Sequence, residues 1–332
     1  MEAAVDRRSA ATRVDLGPHA FDIGARALVM GICNRTPDSF FDKGEHFAFE
    51  RFLERVEAIA AEGADVIDIG GVKAGPGAEV TEPEEIDRVI PAIEAVRRRF
   101  DVCISVDTWR ASVAREAFAA GAVVGNDISG FGDVAYLAAA AAAGASVVAT
   151  HIRLQPRVPD PEPRYDDLLG EVEAFLLDRA RRAEAAGIPP QRVILDAGLD
   201  LGKTAAQSLE LLRASAGLAG LGYPLLLSAS NKRFLGEVLG LEVTERGTAS
   251  LAAAALGIAR GCRIVRVHDV AGTVKVRDVL EAVLSSAPQG QPGREGQPGR
   301  EGQPGREGQP GRGAAQLGNA PAPQVPPPGG PR

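Results

Sequence analysis

Between residues 27 and 284 the chain alternates between two textures. Short apolar, β-branched runs end in a polar residue or glycine, and longer Ala/Leu/Glu/Arg runs with helical spacing follow them. Eight runs read as strands: LVMGI (28–32), DVIDIG (65–70), VCISVD (102–107), VVGND (123–127), SVVATH (146–151), VILDAG (193–198), PLLLSAS (224–230) and RIVRVHD (263–269). Helical periodicity covers 49–63, 84–100, 109–121, 134–144, 169–187, 206–220, 247–261 and 274–286, and several of these runs close on Gly, the usual C-terminal stop. The strand runs are apolar on both faces, as parallel strands are when helices cover them. Eight β-then-α units in strict succession over about 250 residues predict an α/β fold, a TIM (β/α)8 barrel, ahead of an open doubly wound sheet.

Two stretches break the rhythm. RLQPRVPDPEPRYDD (153–167) is too rich in proline for helix or inner strand and reads as a long loop after the fifth strand. From Gly290 to Gly311 a glycine stands at every third position within GQPGRE repeats, the period of collagen, yet the run is short and holds little proline. The expected organisation is an N-terminal arm (1–24), one barrel domain (25–286) and a disordered Gly/Pro-rich tail (287–332).

Charge and composition narrow the class. A net charge of -7 with no basic block in the periodic region argues against nucleic acid and anionic membranes as partners. No apolar run is long enough to span a bilayer and the first 20 residues lack an apolar leader core, so a cytoplasmic protein is expected. Cys33, Cys103 and Cys262 are odd in number and set in apolar runs, which reads as reduced core thiols. GLDLGKT (198–204) resembles a phosphate-binding loop, but only three residues separate Gly198 from Gly202 where that loop requires four.

In a TIM barrel the chemistry sits at the C-terminal strand ends. Here those ends are polar on every strand: Asn34, Asp68, Asp107, Asn126 and Asp127, His151, Asp196, Ser230 to Lys232, then Arg266, His268 and Asp269. Any one of these has a bland explanation as a helix cap or a satisfied core residue. The set does not, because a core built by burial has no use for so many acids and amides on one face. Arg266, His268 and Lys232 with the Asn34 amide suit a departing anion such as diphosphate. Asp107, Asn126 and Asp196 suit a flat heterocycle with several N–H donors and ring acceptors.

MGICNRTPDSFFDKG (30–44), EGADVIDIGG (62–71), ISVDTWRASVAREAFAAGA (104–122), NDISG (126–130), GYPLLLSASNK (222–232) and RIVRVHDV (263–270) together resemble dihydropteroate synthase. The resemblance implies a folate-biosynthesis enzyme that joins dihydropterin pyrophosphate to para-aminobenzoate with release of pyrophosphate, needs Mg2+ and forms a homodimer. It makes Asn34 the magnesium and diphosphate ligand, Asp107, Asn126 and Asp196 the pterin-binding residues, Lys232 the lysine beside the pterin, and Arg266 and His268 the diphosphate pair. Lys232, Arg266 and His268 are then the catalytic candidates.

The departures from the family pattern cluster. GGVKAGPG (70–77) stands where the family reads GGESTRPG, so Lys73, Ala74 and Gly75 replace its serine, threonine and arginine. Arg35 replaces a valine, Asn231 an arginine, Leu201 a phenylalanine and Thr150 a methionine. The altered loops are those that shape the para-aminobenzoate side in the family. Losing a bidentate arginine there costs on the order of 1.5 to 3 kcal/mol of binding to a carboxylate. The VKAGPG and NRTPDSF patterns resemble the second, divergent paralogue that some bacteria carry, which is regarded as inactive or nearly so. Three readings stay open: a synthase with an altered amine pocket, a pterin-binding paralogue without turnover, and a pterin-dependent transferase with another acceptor.

Overall fold

The computed structural model describes residues 10–35, 45–75 and 77–285. The first nine residues, most of the first loop, Pro76 and the tail with its repeats lie outside the described residues. The chain opens with an antiparallel hairpin, β1 (Arg13–Leu16) and β2 (His19–Asp22). Eight parallel strands then close into a barrel: β3 (Leu28–Ile32), β4 (Val66–Gly70), β5 (Cys103–Asp107), β6 (Val124–Asp127), β7 (Ser146–Thr150), β8 (Val193–Asp196), β9 (Leu225–Leu227) and β10 (Ile264–Val267), with β10 pairing both β9 and β3. The eight strands expected from the pattern are these eight, and the TIM barrel is the fold.

Around them lie α1 (Glu45–Ala61), α2 (Glu82–Arg99), α3 (Ala111–Ala120), α4 (Tyr136–Ala143), α5 (Leu168–Ala185), α6 (Ala205–Arg213), α7 (Ser215–Ala219), α8 (Arg233–Leu239), α9 (Gly247–Ala259) and α10 (Val270–Ser285). The run expected as one helix over 206–220 is two, broken at Ala214, and the short α8 was not foreseen. Among the described residues no helix is long and apolar enough to cross a membrane.

Strand side chains alternate between the barrel interior and the helix layer. Val29, Ile67, Ile69, Ile104, Val106, Leu195 and Val265 face outward into the larger core under the helices. Leu28, Met30, Val66, Cys103, Val124, Val148, Ile194, Leu226 and Ile264 face inward and fill the barrel floor. Two or four residues further along these strands, the same inward parity delivers Asn34, Asp68, Asp107, Asn126, Asp196 and Arg266 to the open end. The period of two thus sorts one strand into an apolar floor and a polar mouth.

The N-terminal arm is part of this floor. Val14, Leu16 and Ile23 are buried against the inward residues, each apolar side chain contributing roughly 1.5 to 3 kcal/mol of transfer free energy. Ser146 ties the hairpin to β7 by donating to the carbonyl of Asp15 (2.5 Å) and accepting from the amide of Gly17 (3.1 Å). Gly17 has φ +56°, and a Cβ there would fall 2.7 Å from that of Val123, so the turn needs glycine on both counts. The three cysteines are buried and free, as their apolar settings implied.

Candidate active site

At the centre of the mouth lies a ring of buried polar groups. Arg266 donates from Nε to Asp68 (2.6 Å) and from Nη2 to Asp107 (2.7 Å), bridging three strands. Asp68 is fully buried and also faces the Asn126 amide, 3.4 Å from both of its oxygens. Burial works against the Arg266 charge, yet Asp68 and Asp107 hold the guanidinium net above its ordinary value. Burial pushes the Asp107 carboxyl up to about 7, against the opposing pull of Arg266. Two acids share one cation, so the ring is electrostatically short of positive charge and can take N–H donors from a ligand.

A second cluster organises the β8 loop. Asp196 accepts from the amide of Gly198 (2.8 Å), and burial raises its pKa while Lys232 opposes. Gly198 has φ +64°, and a Cβ there would fall 1.9 Å from the carbonyl oxygen of His151, so only glycine passes. Beneath it Lys203 is buried with its Nζ 2.8 Å from Nδ1 of His151, and it donates to the carbonyls of Gly198 (2.9 Å) and Leu201 (3.0 Å). Burial lowers Lys203 to about 7, and burial then the Lys203 charge lower His151 to about 3. The failed phosphate loop is therefore an internal brace: its lysine binds carbonyls of its own loop. Lys232 donates to the carbonyl of Leu199 in that loop (2.6 Å), and burial lowers its pKa against the pull of Asp196.

On the β3 and β10 side, Asn34 and His268 open onto a cleft of about 530 Å³ that Ile32, Cys33, Arg51, Glu54 and Arg55 also line. Exposed on the rim, His268 has Nδ1 3.0 Å from Ser230 Oγ; the surrounding protein first, then Arg266 and Arg55, pull its pKa down. The Asn34 side-chain oxygen is buried and accepts no hydrogen bond from the described residues. A Cβ at Gly70 would fall 3.0 Å from that oxygen and 3.2 Å from Asp107 Cβ, so the glycine keeps the space between them open.

Mg2+ is the ion the sequence resemblance implies, and the donor set suits it in one limited sense. Among the described residues no group of three or more His, Cys, Asp or Glu side chains converges to hold a metal. A hard cation that keeps several waters and binds chiefly to substrate phosphates needs only one or two protein oxygens, and the unpartnered Asn34 Oδ1 is such an oxygen. Bound there with a diphosphate, it would neutralise charge on the leaving group.

The altered positions behave differently. The Arg35 guanidinium lies over the rings of Phe49 and Phe52 on α1, at 5.1 and 5.6 Å from their centroids. Lys73, Ala74 and Gly75 are exposed. Asn231 has φ +57°, and its Oδ1 accepts from Ser250 Oγ at 3.2 Å, which turns the side chain toward α9. Arg157 of the proline-rich loop, itself at φ +67°, donates to the carbonyl of Ala78 (2.6 Å) just beyond GGVKAGPG.

Asp68, Lys203 and Arg55 had no assigned role in the sequence reading. An acid inside the apolar run VIDIG was the available signal for Asp68. Arg55 resembled any solvated helix position, and Lys203 was set aside with the loop that failed.

A polar ring of this kind at the C-terminal end of a TIM barrel suits a small flat ligand, and residues 30–268 match the family model described as "Pterin binding enzyme". The chain is 44% identical over 271 residues to "Inactive dihydropteroate synthase 2" of Mycobacterium tuberculosis, covering 80% of this chain and 85% of that protein. It is 41% identical over 270 residues to the dihydropteroate synthase of Bacillus subtilis, covering 81% and 92%. The dihydropteroate synthase of Xanthomonas albilineans in complex with 7,8-dihydropteroate superposes with a TM-score of 0.75 at 39% identity, covering 83% of this chain and all of that one. The chain belongs to the dihydropteroate synthase family of folate biosynthesis.

Proposed function

We propose that this protein binds dihydropterin pyrophosphate with Mg2+ at the β-strand ends and has lost most of its capacity to capture para-aminobenzoate. The observation that carries this reading is the contrast within one mouth. Asp68, Asp107, Asn126 and Arg266 form a largely buried, mutually bonded ring, and Asp196 stands beside it, held by the amide of Gly198. The loop that bears an arginine in the family has an exposed glycine at 75. On this reading Asp107, Asn126 and Asp196 accept from and donate to the pterin edge, and Lys232 lies beside the ring. Asn34, Arg266 and His268 face the diphosphate, and Mg2+ held beside Asn34 would supply charge stabilisation for the leaving group. The X. albilineans relative, in complex with 7,8-dihydropteroate, supports a pterin as the ligand.

A cytoplasmic homodimer goes with the reading. Neighbouring helices α9 and α10 leave Leu256, Val279 and Val283 at 42%, 64% and 63% exposure, an apolar face suited to a second copy. Light scattering on the full chain tests it, and a monomer at micromolar concentration rejects it.

The direct test adds dihydropterin pyrophosphate and Mg2+ to the purified protein. The melting temperature should rise, and subsequent addition of para-aminobenzoate should form little dihydropteroate. No thermal shift contradicts the binding half. Product formation that saturates at micromolar para-aminobenzoate contradicts the other half.

A further inference from the structure

The ring described above offers a diphosphate little net positive charge. Arg266 is shared between Asp68 and Asp107, so with both acids ionised the trio carries a formal charge of one minus two, or -1. A ligand bearing a diphosphate needs positive charge from elsewhere.

Helix α1 carries guanidinium groups on the cleft that Asn34 and His268 share. Arg51 and Arg55 are four residues apart and so lie on one face, and both line the cleft. Arg55 is anchored where the anion would lie: its Nη2 donates to the carbonyl of His268 (2.9 Å), next to the imidazole. Its remaining ion pair is long, 3.6 Å to Glu62, and the side chain is 39% exposed, so the group can turn part of its fork to a ligand. Glu54 is the one acid on the cleft wall, against two arginines. The Cys33 thiol, raised by burial to about 12, is opposed by Arg55 and Arg35, which places both charges close to that wall.

We infer that Arg55, seconded by Arg51, is a further anion-binding and specificity-determining group of this site, holding the outer phosphate of the diphosphate beside His268 through charge-assisted hydrogen bonds. This rests on the pterin diphosphate reading. A planar guanidinium matches two phosphate oxygens at once, and its position on a helix makes the anion subsite independent of GGVKAGPG.

Isothermal titration calorimetry of the full chain with inorganic pyrophosphate and Mg2+, and separately with hydroxymethyl-dihydropterin lacking phosphate, separates the two claims. Arg55→Gln should weaken pyrophosphate about tenfold or more, leaving the phosphate-free pterin within about twofold. Arg51→Gln should weaken pyrophosphate by less, and Arg55→Lys, which keeps the charge, should recover part of the loss. Pyrophosphate affinity unchanged in Arg55→Gln overturns the inference while the pterin reading stands. Parallel loss of both ligands also overturns it, because Arg55 would then only hold the β10 end in shape. Wild-type protein that binds neither the pterin nor pyrophosphate rejects both.

Discussion

The inner ring and the outer loops of this barrel mouth are built by opposite rules. In the ring, each polar group sits on a strand, shares the inward parity of the apolar floor, and is bonded to a neighbour from another strand: Asp68 to Arg266, Arg266 to Asp107. On the rim, side chains at the altered positions are exposed or turned toward their own scaffold, Arg35 onto Phe49 and Phe52, Asn231 onto Ser250. The ring is held by the fold, so changing it alters stability and binding together. The altered rim positions are not part of that bonded ring, so a paralogue can rewrite the second-substrate side without disturbing the first.

Removing a ring member should do the most damage. Asp68→Ala leaves Arg266 with one acid and the Asn126 amide without its acceptor, and breaking a buried pair of this kind costs about 3 to 5 kcal/mol. Urea denaturation reads the loss, and a change under about 1 kcal/mol would mean the ring is not a unit. Next in size is the pH response of the His151 and Lys203 brace. Unfolded histidine takes up a proton near 6.5, whereas His151 resists until about 3, so the unfolded chain binds more protons in that window. Stability supplied by this group is full above about 6.5 and falls as pH drops, by up to about 1.4 kcal/mol per pH unit. His151→Gln should remove that share of the slope, measured as melting temperature against pH.

Asp107 gives a smaller effect, on binding. Its ionised form accepts from an amino-pyrimidine edge, and burial places its titration near 7 in the free protein. Pterin affinity should therefore strengthen as pH rises through about 7, and Asp107→Asn should lose about tenfold and flatten the profile. The rim should show least in stability. Lys73→Ser, Ala74→Thr and Gly75→Arg together should shift it by under about 0.5 kcal/mol. All three positions are exposed, Gly75 is not in the left-handed region, and a Cβ there meets nothing within 4 Å. A large destabilisation of this triple variant would show that GGVKAGPG is structural after all.

Much of the architecture was legible because a parallel barrel repeats one rule. Runs such as LVMGI and VCISVD, apolar on both faces and ending in a polar residue, mark strand and site at once. The hairpin of β1 and β2 was missed because its two strands have four residues each, though the Gly17–Pro18 turn between them was a hairpin signal. Helix α8 is a seven-residue segment following Lys232, too short for periodicity to register. The residue types of the ring were readable, but its pairing was not. That Asp68 would meet Arg266, 198 positions away, follows only from barrel closure between β10 and β3. Arg35 is readable in the sequence as a charge in place of a valine; its placement over two phenylalanines depends on how α1 packs.

The most direct test of the contrast between ring and rim is a synthase assay with saturating dihydropterin pyrophosphate and Mg2+, varying para-aminobenzoate, on wild type beside the triple variant of residues 73–75. The account predicts that the wild type forms little dihydropteroate and that the triple variant gains about tenfold or more in kcat/KM for para-aminobenzoate, with pterin affinity unchanged. A wild type that already saturates with para-aminobenzoate, and gains nothing from the three substitutions, would contradict it.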